Sequence, residues 1–333
     1  MEEGFSMPST STIMDIFLIS ASRGDPSGFR PSVCRLAQLT QGRCVSVRYR
    51  LAPQHPFPAA LLDVFIAYLS LLYPPPESFH EPIPASNIII AGDSAGANLC
   101  LALVQLILQL HRRNGPASTI RFFGRDVALT LPAGVTAFSA WTEATSALPS
   151  FTANKKHDYF SATTALERAV PCDIWPTNPP RGTLYCDIST LCHPLVSPTI
   201  ADDWDGSPPM WFCCGEEMLV DNSRVIAQRA ANQGCTVIWA EYDAMPHCFP
   251  FIFDIPQTDH SFKRWARFCS ACVENPGSLR SEGINVDTSM QTQSVDVRAL
   301  IDLSYDEVKE CMRRNMQTMA KRYQEKHSTE PKL

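Results

Sequence analysis

Short apolar runs recur along the first 250 residues, at 44–49, 87–92, 210–214 and 236–242, each rich in β-branched or aromatic side chains. Runs of this length and composition predict strands buried on both faces. Between them lie longer stretches with a 3.6-residue apolar rhythm. The spacing predicts a helix over 59–72, stopped by Pro74, Pro75 and Pro76, and a second over 95–110, apolar on nearly all sides and ending near Gly115-Pro116. A third is predicted over 221–232, with Asp221 as its own cap. Strand and helix patterns alternating in this way predict an α/β fold, with a mostly parallel sheet flanked by helices.

Two stretches depart from the pattern. From 142 to 207 the periodicity weakens among scattered prolines and turn formers such as Asn178-Pro179-Pro180-Arg181-Gly182, which reads as an irregular insertion, either a lid or surface loop. After the main domain, 1–275, residues 276–303 turn polar, as in a linker. A last helix is then expected over 304–327. Ser304 and Glu307 have capping-box spacing, and Val308, Met312, Met316, Met319 and Tyr323 form one apolar stripe suited to docking on the domain.

Composition narrows the class. The 333 residues are 45% apolar and carry 28 Lys+Arg against 34 Asp+Glu, a formal net charge of −6. That excludes a disordered tail or a fibre, and it offers no broad basic surface for nucleic acid, so a small molecule is the expected partner. The longest apolar stretch, 99–110, includes Gln105 and Gln109 and falls well short of the ~20 residues of a transmembrane segment. The start, MEEGFSMPST, lacks the basic flank and apolar core of a secretion signal. An odd count of 13 cysteines suits free thiols in a reducing compartment, and a cytoplasmic location is expected. Cys269 and Cys272 form a CxxC without a second pair, and Phe268, Ala271 and Val273 around them read as helix packing; no metal or cofactor is implied.

The chemistry concentrates in Gly92-Asp93-Ser94-Ala95-Gly96, set between a predicted strand and a predicted helix. A G-x-S-x-G pentapeptide alone also fits an ordinary glycine-rich turn. Between strand and helix it reads as a nucleophile elbow, a strained turn that lifts the Ser94 hydroxyl above the sheet and leaves the Ala95 N–H free for an oxyanion. A serine needs a histidine to take its proton and an acid to orient that histidine, in the chain order Ser, acid, His. His247 follows the last predicted strand directly. The acid is expected in the loop after 210–214, where Glu216, Glu217 and Asp221 compete. Asp221 reads best as a helix cap and Glu217 lies deeper in the loop; spacing leaves the choice open. Trp141, Phe151, Tyr159, Phe160 and Phe249 could line a pocket or equally belong to the core.

These residues resemble the hormone-sensitive-lipase-like branch of the α/β-hydrolases, carboxylesterases of the fungal type among them. Tyr49-Arg50-Leu51-Ala52-Pro53 and the Pro56-Phe57-Pro58-Ala59-Ala60 after it are similar to that branch's Y-R-L-A-P and P-F-P-A-A segments, with Asp63 where its following aspartate sits. Gly92 to Asn98 is similar to its G-D-S-A-G-G-N elbow. Ser139-Ala140-Trp141, His193-Pro194-Leu195-Val196-Ser197-Pro198 and Met245-Pro246-His247-Cys248-Phe249 match further turns, so that the likeness covers roughly 31–253. The resemblance implies the α/β-hydrolase fold and hydrolysis of carboxylic esters of small or medium apolar molecules. It also places Glu217, first acid of Glu217-Met218-Leu219-Val220-Asp221, on the acid position, with Asp221 as second choice. One element is missing. The branch carries H-G-G-G upstream of Y-R-L-A-P as half of its oxyanion hole, and residues 14–26 hold no such run. The N-terminal strands are therefore expected to be truncated, through divergence or a misassigned gene start. An impaired hydrolase, a binding protein on the same fold or a truncated product are the alternatives to a working esterase.

Overall fold

The computed structural model describes residues 15–19, 26–159, 173–175, 177, 181 and 183–328. In chain order it contains β1 (Asp15–Ile19), α1 (Arg30–Thr40), β2 (Arg43–Ser46), α2 (Ala59–Leu72), β3 (Ile88–Asp93) and α3 (Ala95–Asn114). A small hairpin of β4 (Thr119–Phe122) and β5 (Arg125–Ala128) comes next, then β6 (Gly134–Phe138), β7 (Met210–Gly215), α4 (Val220–Asn232) and β8 (Val237–Tyr242). The chain closes with α5 (Pro256–Glu274), β9 (Glu282–Val286), β10 (Thr292–Val295) and α6 (Tyr305–Ser328).

Apart from the β4–β5 hairpin, the described strands form one eight-stranded sheet in the order β10-β9-β8-β7-β6-β3-β1-β2. Every neighbouring pair is parallel except β9 and β10. β3 lies inside this sheet and is buried along its whole length. Its alternate side chains serve two cores. Ile88 and Ile90 pack with α2, α3 and α4, while Ile89 and Ala91 pack with Leu36 of α1 and with Phe262 and Trp265 of α5. This explains why the run carries no polar alternation: each face has its own helical layer. α3 is buried nearly all round and extends to Asn114, where Gly115 at φ 86° closes it. Cys269 and Cys272 are buried on α5 within the second core, and among the described residues all cysteines are free thiols. No helix of the described residues is long and apolar enough to cross a membrane.

Three features differ from the sequence reading. Residues 276–303 are not a plain linker, since β9 and β10 extend the sheet beyond β8. The Asp287 carboxylate accepts the N–H groups of Ser289 and Gln291 and so forms the turn between them. Polar residues dominate there because β10 is an edge, with Thr292, Gln293 and Ser294 in solvent. The segment 14–26 contributes β1, which pairs between β2 and β3. Asp221 is not a cap: α4 begins at Val220, and the carboxylate instead accepts the N–H of Ser150 from the 142–207 segment.

Among its described residues that segment holds only short helical turns, at Ser150–Ala153, Lys155–His157, Ile188–Thr190 and Pro198–Ile200, and α6 lies against several of them. Ser304 and Glu307 form reciprocal capping-box hydrogen bonds. Val308 and Met312 are fully buried against Leu148, Ile200 and Val225. Further along, Met316, Met319 and Tyr323 pack on Cys186, Ile188, Leu191 and Val196.

Candidate active site

Ser94 stands between the last residue of β3 and the first of α3 with φ 51° and ψ −118°, a strained conformation for a residue with a Cβ. The turn is held by Ser94 N donating to Phe138 O at 2.9 Å and Trp141 N donating to Ser94 O at 3.1 Å. Its tightness requires glycine beside it, because a Cβ on Gly92 would stand 2.4 Å from the Gly96 carbonyl carbon. Ala95, as first residue of α3, carries one of the N–H groups that a helix start leaves without an intrahelical acceptor.

Two other loops leave the same end of the sheet. The first follows β7 and carries Glu217, fully buried; the second follows β8 and carries His247, only 4% exposed. They approach so closely that a Cβ on Gly215 would lie 1.9 Å from the Met245 carbonyl oxygen. Ala244 and Cys248, both at φ 56°, bend the second loop so that the imidazole turns back over the sheet. His247 Nε2 then lies 3.0 Å from Ser94 Oγ, and His247 Nδ1 lies 2.7 Å from Glu217 Oε2.

The other carboxylates of the acid loop do different work. Glu216 pairs with His157 and accepts the Ala244 N–H. Asp221 pairs with Arg224, which also binds Glu241 of β8. The structure therefore brings Ser94, His247 and Glu217 together and leaves Asp221, the second choice for the acid, in a separate ion-pair network. Burial opposes charge on the His247 imidazole, but Glu217 outweighs it by charge and hydrogen bond, with Asp158 and Asp93 adding to it, so His247 sits above its ordinary pKa. Burial raises Glu217 above the usual carboxylate range despite the opposing charge of His247.

A residue the sequence reading did not single out also reaches this site. Asp158 accepts the N–H of Met218 at 2.9 Å and that of His247 at 3.3 Å. No spacing rule points to it, because it comes from the irregular segment.

Beside the elbow lies a cavity of about 130 Å³ whose lining includes Tyr49, His55, Ala95, Asn98, Trp141 and Tyr185. The Trp141 and Tyr185 rings meet edge to face across 5.7 Å. Asp63 of α2 holds Arg50 by backbone and side chain and so fixes the strand exit on this cavity's rim. Of the other aromatic candidates, Phe249 is core, Phe151 is half-buried, and Tyr159 is largely exposed with its ring 6.4 Å from that of His247. Phe160 lies outside the described residues, as do residues 20–25 after β1, where the resemblance would place a second oxyanion donor. A larger cleft of about 480 Å³ runs along α5; none of the three converging residues lines either space, and it is the smaller one that reaches the elbow, through Ala95.

A strained serine at a strand-to-helix turn, with a histidine and a buried acid delivered by the two loops that follow, defines a class, and family comparison agrees. Residues 23–251 match the family model described as alpha/beta hydrolase fold, and the chain belongs to that family. It is 29% identical over 229 residues to an acetyl-hydrolase of Streptomyces hygroscopicus, covering 68% of this chain and 64% of that one. It is 30% identical over 223 residues to an esterase of Acinetobacter venetianus, covering 67% and 62%. The match thus spans less than two thirds of either relative's own length. Among solved structures, a hormone-sensitive lipase from a metagenome library superposes with a TM-score of 0.60 at 27% identity, over 80% of this chain and 79% of that one. EstE5 soaked with ethyl alcohol gives 0.62 at 25% identity over the same shares. These neighbours share the mostly parallel sheet flanked by helices.

Proposed function

We propose that the chain is a serine hydrolase that cleaves carboxylic esters of small or medium apolar molecules through an acyl-enzyme. The observation that carries this reading is the unbroken hydrogen-bond line from Ser94 Oγ through the His247 ring to Glu217 Oε2. Along it, His247 Nε2 takes the proton as Ser94 Oγ bonds to the ester carbonyl carbon. The oxygen of that carbonyl becomes an oxyanion, which the Ala95 N–H at the helix start stabilises. As the intermediate collapses, the C–O bond to the alcohol breaks and His247 returns the proton to the leaving oxygen. Water then repeats the sequence on the acyl-enzyme, releasing the carboxylic acid. Glu217 keeps Nδ1 protonated, so that Nε2 faces the serine as the base.

The small cavity beside the elbow favours short acyl chains, and the name of one relative, acetyl-hydrolase, agrees with that. Supply of only one oxyanion donor would slow the reaction by about 10²–10³ without abolishing it. The test is hydrolysis of p-nitrophenyl acetate, butyrate and octanoate by the wild-type chain and by Ser94→Ala. Turnover that prefers acetate or butyrate, and that vanishes in the variant, is expected. Equal rates for the two proteins would overturn the reading.

A further inference from the structure

Asp158 belongs to none of the three loops that deliver the site residues, yet it touches two of them. Its Oδ2 accepts the N–H of Met218, the residue after Glu217, at 2.9 Å, and its Oδ1 accepts the N–H of His247 itself at 3.3 Å. A carboxylate oxygen each of Asp158 and Glu217 and a ring nitrogen of His247 all lie within 4.8 Å of one another. Nearby, Asn154 Nδ2 donates to the Glu217 carbonyl oxygen at 3.1 Å, so the segment grips the acid loop twice. We propose that Asp158 is a positioning residue for the reaction, a side chain of the irregular segment that sets the spacing between acid and imidazole and supplies a second negative charge to the imidazolium. This rests on the hydrolase reading above.

The geometry explains why one side chain can do both. Neither the acid loop nor the histidine loop has regular structure around these positions, and each has a backbone N–H that donates to Asp158. A carboxylate offers two separate acceptors, so the N–H groups are bridged at a fixed distance. An amide cannot replace it, because its second head is a donor that would face an N–H. Misplacement of a reacting group by about 1 Å can cost about 10²-fold in rate, which sets the scale of what this bridge protects.

The charge acts on a ring already surrounded by ionisable groups. Glu217 faces His247 from the acid loop, Asp93 from the end of β3, and Asp158 and Tyr159 from the irregular segment, with Cys248 adjacent in its own loop. The three carboxylates all favour the protonated ring. Removing Asp158 leaves Glu217 and Asp93 in place, so the imidazole should titrate lower but still pair with Glu217.

The variants are Asp158→Asn and Asp158→Ala, read by kcat, KM, the pH profile of kcat/KM and the NMR titration of the His247 ring. In Asp158→Asn, kcat is expected to fall about ten-fold with KM nearly unchanged, and in Asp158→Ala about 10²-fold. In both, the acid limb of the profile and the ring titration should move down by about half to one pH unit. Should Asp158→Ala not fold, the near-isosteric Asp158→Asn carries the test. A ring titration unmoved in Asp158→Asn would overturn the proposal, and so would lost rate with an unmoved limb, which marks structural support only. The ring titration needs no turnover, so it decides on Asp158 even if the wild type hydrolyses no ester. That separate outcome, with Ser94 unreactive, would count against the hydrolase reading instead.

Discussion

Gly215 and His247 carry the sharpest consequences at the scale of single residues. Because a Cβ at 215 would meet the Met245 carbonyl oxygen at 1.9 Å, Gly215→Ala must push the acid and histidine loops apart. Overpacking of this kind costs about 1–3 kcal/mol, and here it should also lower kcat/KM; urea unfolding and ester turnover read the two effects. His247 gives a pH prediction with a definite sign. In the proposed mechanism the imidazole must be neutral to accept the serine proton, and Glu217, Asp158 and Asp93 hold its pKa up. The acid limb of kcat/KM should therefore lie above the ordinary histidine value of about 6.5, with activity rising as pH passes through it. In Glu217→Gln the limb should move down. Ser94 was legible in the sequence because an elbow has a local signature. The acid was not legible from spacing, since Glu217 and Asp221 lie only four residues apart, one in the loop and the other in the first turn of α4. Only the path of the loop decides which carboxylate meets the ring.

At the scale of elements, the acid loop is backed by a partly buried ion-pair network. Arg224 of α4 binds Asp221 one turn earlier and Glu241 in β8, and both carboxylates are nearly inaccessible to solvent. Arg224→Ala would leave two buried carboxylates without their cation and should destabilise the fold by about 3–5 kcal/mol, measured by urea unfolding. α6 offers a second test. Met312 is fully buried beneath it, and Met312→Ala should cost about 2–5 kcal/mol, with part of the loss felt in the irregular segment that the helix covers. The helix itself was readable from its capping box and methionine stripe. The strands outside the main apolar runs were not. β6 is Gly-Val-Thr-Ala-Phe, too short and too small in side chain to show a pattern, yet it is entirely buried. β10 is polar because it finishes the sheet at an edge, and β9 beside it brings only Ile284 and Val286 to the core, so together their composition matches that of a linker.

Across the whole molecule, the three converging residues come from positions 94, 217 and 247 and meet only because β3, β7 and β8 are parallel and end on one side of the sheet. That arrangement was legible in outline, since apolar runs alternating with helices dictate parallel strands, and ligands gather at the carboxyl ends of such strands. The contribution of the irregular segment was not legible. Asp158, Tyr185 and the surface under α6 acquire their neighbours through long-range packing, which leaves no periodic trace in the chain. The central claim is that Ser94 is an activated nucleophile, and labelling the folded chain with a fluorophosphonate, followed by mass spectrometry of its peptides, tests it most directly. The account predicts one covalent adduct on Ser94, lost in Ser94→Ala and slowed in Glu217→Gln. A folded wild-type chain that carries no label at that serine would contradict it.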